Sequence, residues 1–185
     1  MKINKIILLL LLLLGIWTGL GAPLHAATAE ELDRDARKAL KILYSKSPKA
    51  REIANQATAA LVFPTVVKAG FIFGAHGGDG PLISNGGTIG YYNTSAVSYG
   101  LQAGVQKYGY VLFFMNHHAL SYLDRSGGWE VGVGPSIVVV DTGAGKNTNT
   151  TTMQKDIYAF VFNQKGLMAG LGLQGSKITP YTPDK

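Results

Sequence analysis

Apolar residues recur every three or four positions along the chain after residue 27. The stripe consists of Leu32, Ala36, Ala39, Leu40 and Leu43. This spacing places them on one side of an amphipathic helix. Thr28 is a suitable N-cap, and Glu30 and Glu31 fall in the first turn, where the helix dipole favours acidic side chains. We therefore predict a helix over residues 29–44.

A second apolar stripe follows a stop signal at Ser47-Pro48. Serine favours the N-cap position and proline the first helical position, so the pair can end one helix and begin another. The second stripe consists of Ala50, Ile53, Ala54, Ala57 and Leu61. We predict a helix over 48–61, closed by Pro64, and hence a helical part over residues 28–63. Leu40, Leu43, Ile53 and Leu61 should pack against the rest of the protein.

The pattern changes beyond Pro64, where most of the 24 glycines lie among short runs of aromatic and β-branched residues. Such runs between turn signals predict strands. The predicted strands are Ala69–Ala75, Thr88–Asn93, Ala96–Gln106, Tyr110–Met115, Trp129–Val133, Ser136–Val140, Ile157–Asn163 and Gly166–Gln174, with one short helix at Asn116–Leu123. The prediction is an α+β fold with a β-rich part over 64–180. An N-terminal helical hairpin would pack on a strongly curled, mostly antiparallel or barrel-like sheet.

The first 26 residues have the organisation of a secretory signal peptide. Lys2 and Lys5 precede an apolar run, and small residues around Ala26 suit cleavage. The apolar stretch of residues 6–20 is shorter than the roughly 20 residues of a membrane-spanning helix. We therefore expect a single mature domain over 27–185, periplasmic or secreted. The chain has no cysteine, so it has no disulfide, and no lipid-modified cysteine is expected at the mature N-terminus.

Basic residues cluster on the two predicted helices. Loss of Lys2 and Lys5 lowers the basic count from 17 to 15 against 11 acidic residues, a net charge of +4. The cluster, which contains no acidic residue, consists of Arg37, Lys38, Lys41, Lys46, Lys49 and Arg51. Clusters of this kind suit an anionic surface, here phospholipid or envelope glycolipid rather than nucleic acid. A merely solvated helix face remains the alternative.

Motifs that could carry catalysis are incomplete. The Gly-rich stretch GAHGGDG lacks the lysine and the following helix of a phosphate-binding loop, and is better interpreted as a β-turn. The sequence DTGAG at Asp141 resembles the active-site turn of aspartic proteases. That chemistry needs two aspartates, and the chain contains no second copy. The four histidines have no acidic residue at a ligand-like spacing. We predict no catalytic residues, no metal site and no cofactor.

Aromatic residues crowd the predicted sheet, and they leave a second functional hypothesis open. Adjacent pairs such as Tyr91-Tyr92 and Phe113-Phe114 point to opposite faces of a strand. Some of these rings could therefore form an exposed surface that binds another protein, as in an envelope scaffold or assembly factor. The alternative is that they pack in the core and its interfaces.

Several segments together resemble the SYLF domain family. In family order they are ALVFPTVVKAGFIFGAHGGDG, YYNTSAVSYGLQAGVQ, VLFFMNHHAL, GVGPSIVVV and DIYAFVFNQKGLMAGLGLQGSKI, between Leu61 and Ile178. The resemblance implies a curled β-structure with helices, no catalysis, and binding of anionic lipids, which are phosphoinositides in the eukaryotic relatives. Some relatives bind actin, which we do not expect of an exported protein. The resemblance supplies no ligand-binding residues, so the basic cluster is predicted from charge alone.

Overall fold

The computed structural model describes residues 27–70, 73–99, 104–141, 155–166, 173 and 175–184. The predicted signal segment, residues 1–26, and nearly all of the predicted strand Gly166–Gln174 lie outside this part of the chain. The helices are α1 (Ala29–Lys46), α2 (Pro48–Ala54), α3 (His117–Leu120) and a 3₁₀ helix (Ser121–Asp124). The strands are β1 (Ala59–Gly70), β2 (Phe73–Ser84), β3 (Gly87–Tyr99), β4 (Gly104–Phe114), β5 (Trp129–Glu130), β6 (Ile137–Asp141), β7 (Ile157–Gly166) and β8 (Lys177–Tyr181).

The first helix forms for the reasons visible in the sequence. The Thr28 hydroxyl accepts a hydrogen bond from the Glu31 amide at 3.3 Å, and the Glu31 carboxylate accepts one from the Thr28 amide at 3.1 Å. This capping box satisfies two amides that a helix start leaves open. Ser47 ends α1 and also caps α2, because its hydroxyl accepts from the Ala50 amide at 3.2 Å. The predicted start at 29 and the Ser47-Pro48 junction are confirmed.

The predicted second helix is wrong beyond Ala54, and the helical hairpin is not confirmed. The helix is only 7 residues long, and residues from Ala59 onwards form β1. Leu61 and Phe63 face one side of the sheet and Val62 the other, and all three are fully buried. A strand covered on both faces is continuously apolar, so the run resembles a buried helix segment. Pro64 lies within β1, where the pairing with β4 shifts register, a position that tolerates the missing amide hydrogen.

The strands form one eight-stranded sheet in the order β5-β8-β3-β2-β1-β4-β7-β6. Every pairing among these strands is antiparallel except the parallel pairing of β6 with β7. The sheet curls strongly into a half-barrel with the N-terminal helix packed on it, as predicted. Its inner face holds the larger core, into which α3 and the 3₁₀ helix insert Ala119 and Leu123. Its outer face is covered by α1 and α2, where Leu43 and Ile53 are buried and Leu40 is partly buried.

The Gly-rich stretch within residues 74–80 is a strand rather than the predicted turn. It lies in β2 and pairs with β3 residue by residue. A Cβ at Gly78 would lie 2.6 Å from the Thr65 carbonyl oxygen, and a Cβ at Gly80 would overlap the Val62 carbonyl. Between Leu61 and Val67 the register of β1 against β2 also shifts. The glycines therefore permit a close approach of two backbones in a curled sheet, and no phosphate-binding loop is formed.

Several other strand boundaries differ from the predictions. The predicted strands Ala69–Ala75 and Ala96–Gln106 each include the end of one strand and the beginning of the next. The predicted strand Thr88–Asn93 is only part of the longer strand β3. No strand was predicted where β8 lies. The strands β6 and β7 and the short helical segment after Asn116 are confirmed. Alternation along a strand does not reveal where a hairpin reverses, which explains the two predictions that merged consecutive strands.

Candidate functional site

The predicted basic cluster lies on α1 and α2. Five of its side chains are exposed, namely Arg37, Lys38, Lys41, Lys46 and Arg51, and Lys49 is half-buried. The structure shows that neighbouring acids offset part of this charge. The Lys38 ammonium lies 3.6 Å from the Asp35 carboxylate, and the Lys49 ammonium lies 3.0 Å from that of Glu52. The sequence count of six cations thus overstates the local positive charge, because Asp35 and Glu52, just outside the run, each lie about one helical turn from a lysine of the cluster.

Lys46 connects the cluster to the sheet. Its ammonium donates a hydrogen bond to the Asn163 side-chain oxygen at 3.1 Å. Asn163 lies in β7 with φ of 55°, a left-handed conformation that asparagine tolerates better than most residues. This hydrogen bond holds the end of α1 beside β7, at a residue that lies two positions before Lys165.

A cleft of about 420 Å³ opens at this junction between α1 and the sheet. Three of its lining residues are lysines, contributed by three different elements: Lys46 from α1, Lys107 from β4 and Lys165 from β7. We call this the lysine cleft. The other lining residues are Ile42, Pro64, Thr65, Tyr108, Gly109 and Asn163. The site therefore combines three ammonium groups with neutral hydrogen-bonding groups and a small apolar wall.

Lys107 and Lys165 are directly opposite each other on neighbouring antiparallel strands. Like charges in this position repel each other and destabilise a sheet. Within the described part of the chain, no carboxylate oxygen lies within 4.0 Å of the ammonium nitrogen of Lys46, Lys107 or Lys165. Lys107 and Lys165 could not be recognised as neighbours from the sequence, because only the register of β4 against β7 brings them together. A pair of opposed cations without a neighbouring carboxylate attracts anionic ligands.

Among the described residues considered for catalysis, His76 has a serine and a lysine as neighbours. The His76 Nε2 lies 3.2 Å from the Ser176 hydroxyl. Burial, and then the nearby Lys68 ammonium, lower the pKa of His76. A serine–histidine catalytic pair needs a carboxylate that stabilises the imidazolium, whereas Lys68 has the opposite effect. Asp141 ends β6, opposite Val161 of β7. No group of three potential metal ligands occurs among the described histidine, aspartate and glutamate residues.

The aromatic residues considered for a protein-binding surface are mostly packed inside. Phe113 packs in the outer-face core together with residues of α1 and α2, Phe114 packs in the inner core, and both are fully buried. Others that are buried are Tyr92, Tyr108, Tyr110 and Trp129. Tyr91 is half-buried, and its hydroxyl donates to the Asp33 carboxylate of α1 at 3.3 Å. Adjacent aromatic residues do face opposite sides of the sheet, but both sides are covered there.

The described helices include none that is long and apolar enough to cross a membrane. Residues 95–184 match a family model described as Ysc84: Las17-binding protein actin regulator. This range contains Lys107 and Lys165 but not Lys46. A comparison with curated proteins finds no match.

Proposed function

Residues 95–184 match the SYLF (Ysc84) domain family, and we propose that the chain is a member of this family and a non-enzymatic protein that binds anionic lipid. The basic helices attract it to the surface, and the lysine cleft receives a negatively charged headgroup. The observation that carries this proposal is that Lys46, Lys107 and Lys165 line one cleft, with no carboxylate of the described residues within 4.0 Å of any of them.

The charges involved are sufficient for salt-sensitive binding. Each lysine or arginine near an anionic membrane surface contributes about 1 kcal/mol. The three cleft lysines, together with Arg37 and Lys41, therefore give a useful affinity even after partial screening. The Debye length falls from about 10 Å at 0.1 M salt to about 3 Å at 1 M, so the attraction is largely lost at high salt.

The signal-peptide pattern supports a location in the periplasm or outside the cell. The partner is then an anionic phospholipid or glycolipid of the envelope, with an envelope protein as a further partner. Actin and nucleic acid are not expected partners there. A protein-binding scaffold remains the second hypothesis, although the rings that would form its surface are mostly buried.

The absence of catalysis is also part of the proposal. It is supported by the cationic neighbour of His76 and by the single Asp-Thr-Gly sequence at Asp141. An aspartic protease would require two copies of Asp141 in a homodimer. Pepstatin-sensitive peptide cleavage that Asp141→Asn abolishes would contradict this part of the proposal.

Co-sedimentation of the mature protein with anionic liposomes across a salt series tests the proposal. The cleft variant is Lys107→Gln/Lys165→Gln, and a helix variant with the same charge change is Arg37→Gln/Lys41→Gln. If each lost cation contributes about 1 kcal/mol, each double variant should bind about 30-fold more weakly at low salt. A wild-type protein that ignores anionic liposomes at low salt would contradict lipid binding. Undiminished binding by both variants would contradict the assignment to these residues.

A further inference from the structure

An exposed apolar row crosses the outer face of the sheet near the ends of β1–β4. It consists of four residues that pair with one another from strand to strand: Val97 of β3, Ala75 of β2, Ala69 of β1 and Val105 of β4. All four are exposed, Val97 by 82% and Val105 by 56%. Phe73, 68% exposed, lies two residues from Ala75 along β2 and therefore shares its face. We call these five residues the apolar strip.

The exposure follows from where the helices end on this face. Val62 and Val111 lie on the outer face under α1 and α2 and are fully buried. Further along the same strands, Val67 is 39% exposed, and the apolar strip lies beyond it. The alternate residues Val66 and Gln106 point inward and are buried, which confirms that the strip lies on the outer face. The strands thus continue past their helical cover with valine where a solvated sheet usually carries polar side chains.

The strip lies next to the lysine cleft at a defined spacing. Lys107 pairs with Val67, and Val105 pairs with Ala69, so the charged and apolar rows are two residues apart. Two residues of extended strand span about 7 Å. Amphipathic elements at a membrane surface bury their apolar side about 5–10 Å into the boundary between headgroups and acyl chains. The offset therefore matches the depth difference between lipid phosphates and the upper acyl chains.

We propose that the apolar strip enters the interfacial region of an anionic bilayer while Lys107 and Lys165 contact the phosphates. This inference rests on the proposed lipid binding and adds an orientation, with the ends of β1–β4 pointing into the membrane. The charge pattern favours a bilayer over a second copy of this chain. Two copies joined strip to strip would bring the Lys107–Lys165 pairs of both molecules together, whereas anionic headgroups neutralise them.

The test is tryptophan fluorescence of Val97→Trp in the mature protein, with lipids brominated on their acyl chains as quenchers. Trp129 is only 1% exposed and supplies a constant background, and Trp17 lies in the predicted signal segment. The matched control is Ile89→Trp, because Ile89 is 60% exposed near the other end of β3. The fluorescence of the Val97→Trp variant should shift to the blue and be quenched by anionic vesicles at low salt, whereas the control should show neither change.

A second variant measures the contribution of the strip to binding. Val97→Asp should lower vesicle partitioning about tenfold, because it removes apolar contact and places a carboxylate against anionic lipid. Salt-sensitive vesicle binding without quenching at position 97 would overturn this inference and leave the proposed function standing. If neither the wild type nor any variant binds vesicles, both this inference and the proposed function are overturned. A blue shift that depends on protein concentration and needs no vesicles would show self-association through the strip, and would also overturn the inference.

Discussion

Replacing Lys165 by glutamate should stabilise the fold while weakening its function. Lys165 and Lys107 are opposed across β7 and β4, and no described carboxylate lies within 4.0 Å of either. Directly opposed side chains on antiparallel strands have Cβ atoms about 4.5–5.5 Å apart. Lys165→Glu converts repulsion at this distance into attraction. If the protein maintains the pair for anion binding, the repulsion is a cost of that function.

The size of the effect follows from the exposure of both side chains. A directly opposed pair of charges changes the free energy of unfolding by about 0.2–1 kcal/mol, raising it for opposite charges and lowering it for like charges. Solvent screening favours the lower half of this range. The change from repulsion to attraction should raise the free energy of unfolding by about 0.5–1 kcal/mol. For a domain of this size the melting temperature should rise by about 1–4 °C.

The assay is urea denaturation at low salt and at 1 M salt, with liposome binding measured in parallel. Lys155→Glu is the matched control, because Lys155 is exposed, precedes the opposite end of β7 and undergoes the same charge change. The gain in stability should appear only for Lys165→Glu and should shrink at about 1 M salt. The reasoning is refuted if Lys165→Glu is no more stable than the control at low salt, or if it binds anionic liposomes as strongly as wild type.

Three other predictions concern the stability and electrostatics of the fold. Gly80→Ala should lower the free energy of unfolding by about 1–3 kcal/mol in urea titrations, because its Cβ overlaps a carbonyl of β1. Gly87→Ala, whose Cβ would have no neighbour nearer than 3.9 Å, should change little, and equal losses would refute the backbone contact. The pKa of His76, followed by NMR, should lie below the ordinary value and rise in Lys68→Met; no rise would exclude the lysine as a cause. Hydrogen bonds from a serine hydroxyl, an asparagine amide and a backbone amide lower the pKa of Asp156. Their stabilisation should be present above the unfolded pKa of about 4 and be lost as pH falls through the lower folded pKa. Asp156→Asn should therefore be less stable than wild type at about pH 7 but not at about pH 2, and a pH-independent difference would contradict this.

The sequence predicted the first helix well because its signals are local. A capping box at Thr28 and an apolar stripe through Leu43 each lie within a few turns of chain. The start of β1 could not be predicted in the same way. Leu61, Val62 and Phe63 are buried from both sides, so they lack the alternation that identifies a strand.

The candidate site was predicted only in part for a related reason. The helical cations are close together in sequence and visible there, but Lys107 and Lys165 become neighbours only through the register of β4 against β7. The same dependence applies to the apolar strip, in which Val97 and Val105 belong to different strands separated by two others. Charge composition therefore indicated a ligand class, whereas the position of its binding site required the topology.

The most direct test of the central claim is the binding of the wild-type mature protein to vesicles of increasing anionic lipid content at fixed low salt. We expect no binding to purely zwitterionic vesicles and a steep rise with the anionic fraction, because several lysines engage the surface together. The binding should fall sharply when the salt is raised to about 1 M. Equal binding to zwitterionic and anionic vesicles, or no binding to either at low salt, would contradict the account.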